Sequence, residues 1–364
     1  MRRPIVAGWG WLAWSIAAAQ ALPWPQEAAP APAPAASAPA AHEIGPALGR
    51  PRIGLVLSGG GARGLAHVGV LKVLERERIP IDAIAGTSMG AIIGGLYASG
   101  MDAATIEREL RALDWGALFA SRLPRETLSQ RRKEEDFDIS PAIEVGLGRT
   151  TGEPMLPLGS VSSRGLELLL RRYTLPVRRA PHFDALPIPF RAVATDMESG
   201  EAVVFEDGDL AQALRASMSV PGVFSPTEVA SRILGDGGLV DNLPVGVVRA
   251  MGVDIVIAVN IGTPLAGRDT LGTVLGMTTQ MINILTEQNV QRSLASLVPG
   301  RDLLIAPPLG RLTSSDFERA ADLIAAGEEH AAALRPRLAA LRVPEADWRA
   351  LRRQQARPED PPAP

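Results

Sequence analysis

Two short apolar runs, each followed at once by a glycine-rich turn and then a helical pattern, fill residues 51–100 (PRIGLVLSGGGARGLAHVGVLKVLERERIPIDAIAGTSMGAIIGGLYASG). Residues 53–57 and 81–85 have the length and β-branched content of buried strands. The first turn, Gly59-Gly60-Gly61-Ala62-Arg63-Gly64, opens a helix expected from Gly64, with Leu65, Val68, Leu71, Val73 and Leu74 facing inward. The second, Gly86-Thr87-Ser88-Met89-Gly90, opens a helix expected from Ser88, with Met89, Ile92, Ile93, Leu96 and Tyr97 inward. A strand–turn–helix unit repeated in this way predicts a parallel sheet covered by helices.

The second turn matches G-x-S-x-G. Glycines at its ends, Gly86 and Gly90, leave room for a sharp strand-to-helix turn that exposes Ser88 in a strained conformation at a helix N-terminus. There the helix dipole and its unpaired N–H groups favour developing negative charge. A plain helix start capped by Thr87 or Ser88 fits the pentapeptide as well. The first turn separates the two readings, because three consecutive glycines let backbone N–H groups point into a site, as an oxyanion hole requires. Gly59, Gly60 and Gly61 are the expected donors. Arg63 either fixes this loop or binds a phosphate, or is a surface arginine paired with a carboxylate. The loop also satisfies G-x-G-x-x-G, but a dinucleotide site needs an acidic residue at the end of the second strand. Asp82, 18 positions after Gly64, lies at the start of that strand, before Ala83–Ala85, and not at its end. A phosphate-binding P-loop fails as well, since no Gly-Lys-Ser/Thr follows.

A serine nucleophile needs a base. The chain has four histidines, His42, His67, His182 and His330. They fall in a low-complexity leader, in the first helix, in a proline-flanked loop and in a solvated helix, and each reads as ordinary. The stretch Gly235-Asp236-Gly237-Gly238-Leu239-Val240-Asp241-Asn242-Leu243-Pro244 offers an alternative: an aspartate at a strand end that reaches the serine hydroxyl directly. Asp236 is favoured over Asp241, because Asp241 and Asn242 precede Leu243-Pro244 and read as helix caps.

GGGARG, GTSMG and DGG, in this order, resemble the patatin-like phospholipases, a family of serine–aspartate dyad lipid acyl hydrolases. The strings FRAVATD (190–196) and ASMSVPGVFSP (216–226) are similar to the family too, and the likeness covers roughly residues 51–308. The resemblance implies a three-layer α/β/α fold with a mainly parallel central sheet. It implies Ser88 as nucleophile, Asp236 as base, Gly59, Gly60, Gly61 and Arg63 as the oxyanion loop, and Gly86, Gly90, Gly237 and Gly238 as motif glycines. Phospholipids or related acyl esters are the implied substrates. No metal or other cofactor is expected, and there is room for a peripheral membrane contact.

The rest of the chain sets the context. A net charge of −3 and 4% aromatic residues argue against a nucleic-acid partner. With no cysteine, thiolate metal sites and disulfides are excluded. Residues 1–21 read as a secretory signal, with Arg2 and Arg3 ahead of an apolar run, and a retained membrane anchor is the competing reading. Residues 22–50 form an Ala/Pro-rich linker. The catalytic domain is expected over 51–310 and a helical, Arg-rich extension over 311–364. This organisation predicts an exported, periplasmic protein. Helices are expected after Asp102, after Ser162 or Ser163, after Asp209, over 271–297 and over 315–334. Strands are expected over 139–147, 190–195, 202–205, 254–260 and 302–306. Three other functions compete with the dyad hydrolase: a Ser–Asp–His esterase using His330, a non-catalytic lipid- or partner-binding protein on the same fold, and acyl transfer to another lipid.

Overall fold

The computed structural model describes residues 49–119, 146–147, 154–155, 162–262, 265, 267–268, 271–272 and 274–356. The leader, nearly all of the linker and the charged 121–136 stretch lie outside the described residues. Of the strand expected over 139–147, only Gly146–Leu147 is described, and it pairs antiparallel with Pro154–Met155.

Eight strands build the central sheet: β1 (Ile53–Leu57), β2 (Ala83–Thr87), β3 (Phe190–Asp196), β4 (Ala202–Phe205), β5 (Thr227–Val229), β6 (Arg232–Asp236), β7 (Ile255–Val259) and β8 (Leu303–Ile305). Their order is β8-β7-β1-β2-β3-β6-β5, with β4 also paired to β3. The run from β8 to β3 is parallel, and the pairs involving β4, β5 and β6 are antiparallel. Continuous apolar sequence puts β1 and β2 in the middle, where every residue is buried.

Helices cover both faces, as expected. Those that bear on the site are α1 (Ala66–Arg76), α2 (Met89–Ala98), α3 (Ala103–Arg111), α4 (Leu210–Ser217), α5 (Val245–Ala250), α6 (Val274–Ala295) and α7 (Ala320–Ala333). Side chains alternate along β1: Leu55 and Leu57 join the larger core with residues of α1, α2 and α7. Val56 joins the smaller one with Val245, Val248 and Val290 of α5 and α6. The helical C-terminal stretch therefore packs into the same compact unit, with α7 lying along α1. Asp102 and Asp209 cap α3 and α4, accepting N–H bonds from Thr105 and Gln212 at 2.7 and 3.0 Å. The first helix begins later than expected, because a 3-10 turn over Gly61–Leu65 precedes α1.

One feature of register places the site. On β3, Val193 pairs with Thr87 of β2, and the next residue, Ala194, pairs with Asp236 of β6. β4 pairs with both Val193 and Ala194, so it holds the opposite edge. β2 and β6 thus share one edge of β3 and meet end to end. Ser88 follows β2, and Asp236 ends β6, at that junction.

Candidate active site

Ser88 stands between β2 and α2 with φ 55° and ψ −125°, a left-handed conformation that a serine adopts only under constraint. Close packing supplies the constraint. A Cβ on Gly90 would lie 2.2 Å from the Leu57 carbonyl oxygen, and one on Gly86 would lie 2.6 Å from the Gly90 carbonyl oxygen. Only glycine lets the first turn of α2 lie this close to the end of β1. The Ser88 N–H donates to Ser217 Oγ at 2.9 Å, and Ser217 Oγ donates to the Val193 carbonyl at 2.5 Å. Ser217 therefore ties the elbow to β3 from the end of α4. Only 4% of Ser88 is exposed, so the hydroxyl sits in a largely water-excluded pocket.

The glycine loop lies against the elbow: a Cβ on Gly59 would come within 3.0 Å of Ser88 Cβ. Its three glycines are not equivalent. The Gly59 N–H is spent on Asn242, on the backbone carbonyl at 3.2 Å and on Oδ1 at 3.1 Å. The N–H groups of Gly60 and Gly61 have no protein partner among the described residues. Gly59 is thus a support of the loop, and Gly60 and Gly61 are its open donors. The Arg63 guanidinium is buried and donates to the carbonyls of Gly262, Leu312 and Ile261. Of the roles weighed for Arg63, the observed one is to fix the loop. Among the described residues it pairs with no carboxylate, and its donors are directed to main-chain oxygens.

Asp236 is 6% exposed. Its Oδ1 accepts the Gly238 N–H at 2.7 Å, and its Oδ2 is buried with no partner of ordinary hydrogen-bond geometry. Burial pushes the carboxyl up to about 6, against the partial offset of the Ser88 hydroxyl and the Gly238 N–H, which favour the ionised form. The hydroxyl is therefore near enough to act on the carboxyl, although no ordinary hydrogen bond closes between them. Thr195 Oγ1 donates to the Asp236 carbonyl at 2.7 Å, and the Asp236 N–H donates to the Ser219 carbonyl at 2.9 Å. Gly237 is required by close approach, since a Cβ there would lie 2.2 Å from the Val193 carbonyl oxygen. A Cβ on Gly238 would lie 2.9 Å from both Asp236 Oδ1 and Asn242 Oδ1.

Asp241 is also pushed up to about 6 by burial, but its carboxylate faces Ser293 on α6. Its backbone carbonyl accepts Thr87 Oγ1 at 2.7 Å. The expected capping role of Asp241 and Asn242 is not what the structure holds: α5 starts at Val245, its N-cap position is Pro244, and no side chain caps it. Asn242 turns inward instead, and its amide bonds both the N–H and the carbonyl of Gly59. Asp196 makes a turn, its Oδ1 accepting the Glu198 N–H at 2.9 Å, and Asp82 accepts the Ile53 N–H and pairs with Arg50.

Neither Ser88 nor Asp236 has a histidine partner among the described residues. His67 is fully buried, held neutral with its pKa pushed down to about 4 by burial, and its Nε2 bonds the Ser58 carbonyl at 2.8 Å. His182 Nδ1 accepts the Asp184 N–H, and His330 lies on α7. His42 lies outside the described residues. Ser217, Asn242 and Asn289 were not apparent from the sequence as site residues, since each acts through a partner distant in the chain.

Residues 55–249 match the family model of the patatin-like phospholipases. An uncharacterised NTE family protein of Mycobacterium tuberculosis is 36% identical over 217 residues, which are 60% of this chain and 51% of that one. Human patatin-like phospholipase domain-containing protein 6 is 33% identical over 213 residues, 58% of this chain and 13% of that one. The lysophospholipase NTE1 of Mycosarcoma maydis is 35% identical over 225 residues, 60% of this chain and 10% of that one. The chain thus spans about half the length of the mycobacterial relative and a small part of the other two.

Proposed function

This chain belongs to the patatin-like phospholipase family, and from that premise we propose that it hydrolyses acyl esters of phospholipids or lysophospholipids, with Ser88 as nucleophile and Asp236 as base. As Ser88 Oγ attacks the ester carbonyl, Asp236 takes the hydroxyl proton. The Gly60 and Gly61 N–H groups and the first turn of α2 receive the negative charge that forms on the carbonyl oxygen. Asp236 then returns the proton to the departing alcohol. In the second half, Asp236 takes a proton from water as the water oxygen attacks the acyl-enzyme, and it returns that proton to Ser88 Oγ as the fatty acid leaves.

The observation that carries this reading is the junction of β2 and β6 on one edge of β3. It sets a strained serine beside a buried carboxyl whose Oδ2 has no partner of ordinary hydrogen-bond geometry among the described residues. A carboxylate of pKa near 4 is a feeble base for a hydroxyl, and the push to about 6 brings it nearer the working pH while leaving it mostly ionised at neutrality. Positioning supplies the rest. The secretory-type leader supports an address outside the cytoplasm, which fractionation of cells carrying the chain with and without residues 1–21 tests.

Fatty-acid release from phosphatidylcholine vesicles and lysophosphatidylcholine micelles tests the activity. The reading expects release by the full chain, loss in Ser88→Ala and in Asp236→Asn, and retention in His330→Ala. Loss in His330→Ala instead of Asp236→Asn would establish the Ser–Asp–His esterase. A wild type inert toward both lipids and toward soluble esters would leave the non-catalytic binding protein.

A further inference from the structure

The two halves of the site are linked by side chains that the mechanism above does not use. Asn242, 3% exposed, accepts the Gly59 N–H with Oδ1 and offers Nδ2 to the Gly59 carbonyl at 3.5 Å. That carbonyl belongs to the same planar peptide unit as the Gly60 N–H. The described chain has no cis peptide bond, so the two groups point in opposite directions. Holding the Gly59 carbonyl toward Asn242 therefore aims the Gly60 N–H away from it. The amide of Asn242 sets the direction of one open donor of the loop.

Asn242 is itself held. Its backbone N–H donates to Asn289 Oδ1 at 2.9 Å, and Asn289 Nδ2 donates to the Gly238 carbonyl at 2.9 Å. Gly238 is the residue whose N–H bonds Asp236 Oδ1. Thr286, one turn earlier on α6, adds a second donor to the same carbonyl at 3.0 Å. Asn289 is 2% exposed, so water does not compete for these bonds. Its amide oxygen and one N–H of its amide nitrogen are each directed at a backbone group of the Asp236–Asn242 stretch.

We propose that Asn242 and Asn289 form an amide relay that fixes the Gly59–Gly60 peptide and the Asp236 turn as one unit, acting as positioning residues for the hydrolysis. The proposal rests on the Ser88–Asp236 reading. It implies that α6 sets the geometry of both loops without touching substrate.

Steady-state hydrolysis of p-nitrophenyl butyrate by the full chain tests it, with Asn242→Asp, Asn289→Asp and Asn289→Leu as variants. Asn242→Asp keeps the shape and the acceptor for the Gly59 N–H but loses the donor to its carbonyl. Asn289→Asp likewise keeps the acceptor for Asn242 and loses the donor to Gly238. The relay expects kcat to fall by about 10²-fold, the scale of a misplaced catalytic group, with KM and melting temperature near those of wild type. Ser293→Ala, further along α6 and directed at Asp241, should keep the wild-type rate. Folded Asp variants with kcat within twofold of wild type would overturn the relay and leave the hydrolase reading intact. So would a loss of kcat that only tracks a fall in melting temperature, whichever variant shows it. If Asn289→Leu does not fold, the two Asp variants decide. A wild type with no esterase activity would overturn the hydrolase reading, and the relay with it.

Discussion

Ser88 follows a strand that is buried at every position and flanked by two parallel neighbours, whereas Asp236 ends an antiparallel strand whose first two residues are exposed. On the serine side the backbone is held by volume: a methyl group on Gly90 or Gly86 meets a carbonyl oxygen at 2.2 or 2.6 Å. On the aspartate side it is held largely by hydrogen bonds, from Thr195 to the Asp236 carbonyl and from Asn289 and Thr286 to that of Gly238. Packing is short-ranged and stiff, and its failure costs stability. A hydrogen-bonded turn around a half-satisfied carboxyl trades stability for reactivity. The two sides should therefore respond differently to substitution.

The largest expected effect is on rate and falls on both sides alike. Ser88→Ala and Asp236→Asn should each lower ester hydrolysis by about 10⁴-fold or more, as removal of one member of a catalytic unit does, measured as kcat/KM on a soluble ester. In wild type the same quantity should fall about tenfold per pH unit below about 6, where Asp236 takes up its proton. An acid limb near 4 would contradict the buried-base account.

Stability should separate the two sides. Burial raises the folded-state pKa of Asp236 from 3.8 to about 6, so between those values the folded chain binds more protons than the unfolded one. Folding stability thus falls as pH rises through this window, and above pH 6 a deficit of about 3 kcal/mol at most remains. Asp236→Asn removes the buried charge. It should raise the melting temperature by several degrees at pH 8 and by little at pH 4. Gly90→Ala should do the reverse, costing about 1–3 kcal/mol in denaturant unfolding at any pH, since its clash is steric. A stable Gly90→Ala or a destabilised Asp236→Asn at pH 8 would blur the contrast. The smallest effects belong to Asp241→Asn and His330→Ala, which should leave both kcat and the acid limb within twofold of wild type.

The serine side was also the legible side. Its strands, turns and helices follow one another within residues 51–100, so periodicity and glycine placement are enough to read them. The aspartate side depends on pairings across the chain. Asn242 reads as a helix cap because Pro244 follows closely, but its partner, Gly59, is 183 positions away. Gly59 reads as an oxyanion donor for the same reason: nothing local says that its N–H is already taken. The main-chain acceptors of Arg63 lie 198, 199 and 249 positions away, which is why its role stayed open among several. The end-to-end meeting of β2 and β6 on β3 is a matter of register, which strand patterns alone do not carry.

The most direct test of the serine–aspartate pairing is covalent. The full chain would be treated with a fluorophosphonate probe across pH 4–9, and the adduct located and timed by mass spectrometry in wild type, Asp236→Asn and Asp241→Asn. The pairing predicts modification at Ser88, slowing below about pH 6, nearly absent in Asp236→Asn and unchanged in Asp241→Asn. Modification of Ser88 at the wild-type rate in Asp236→Asn, or an adduct on another residue, would contradict it.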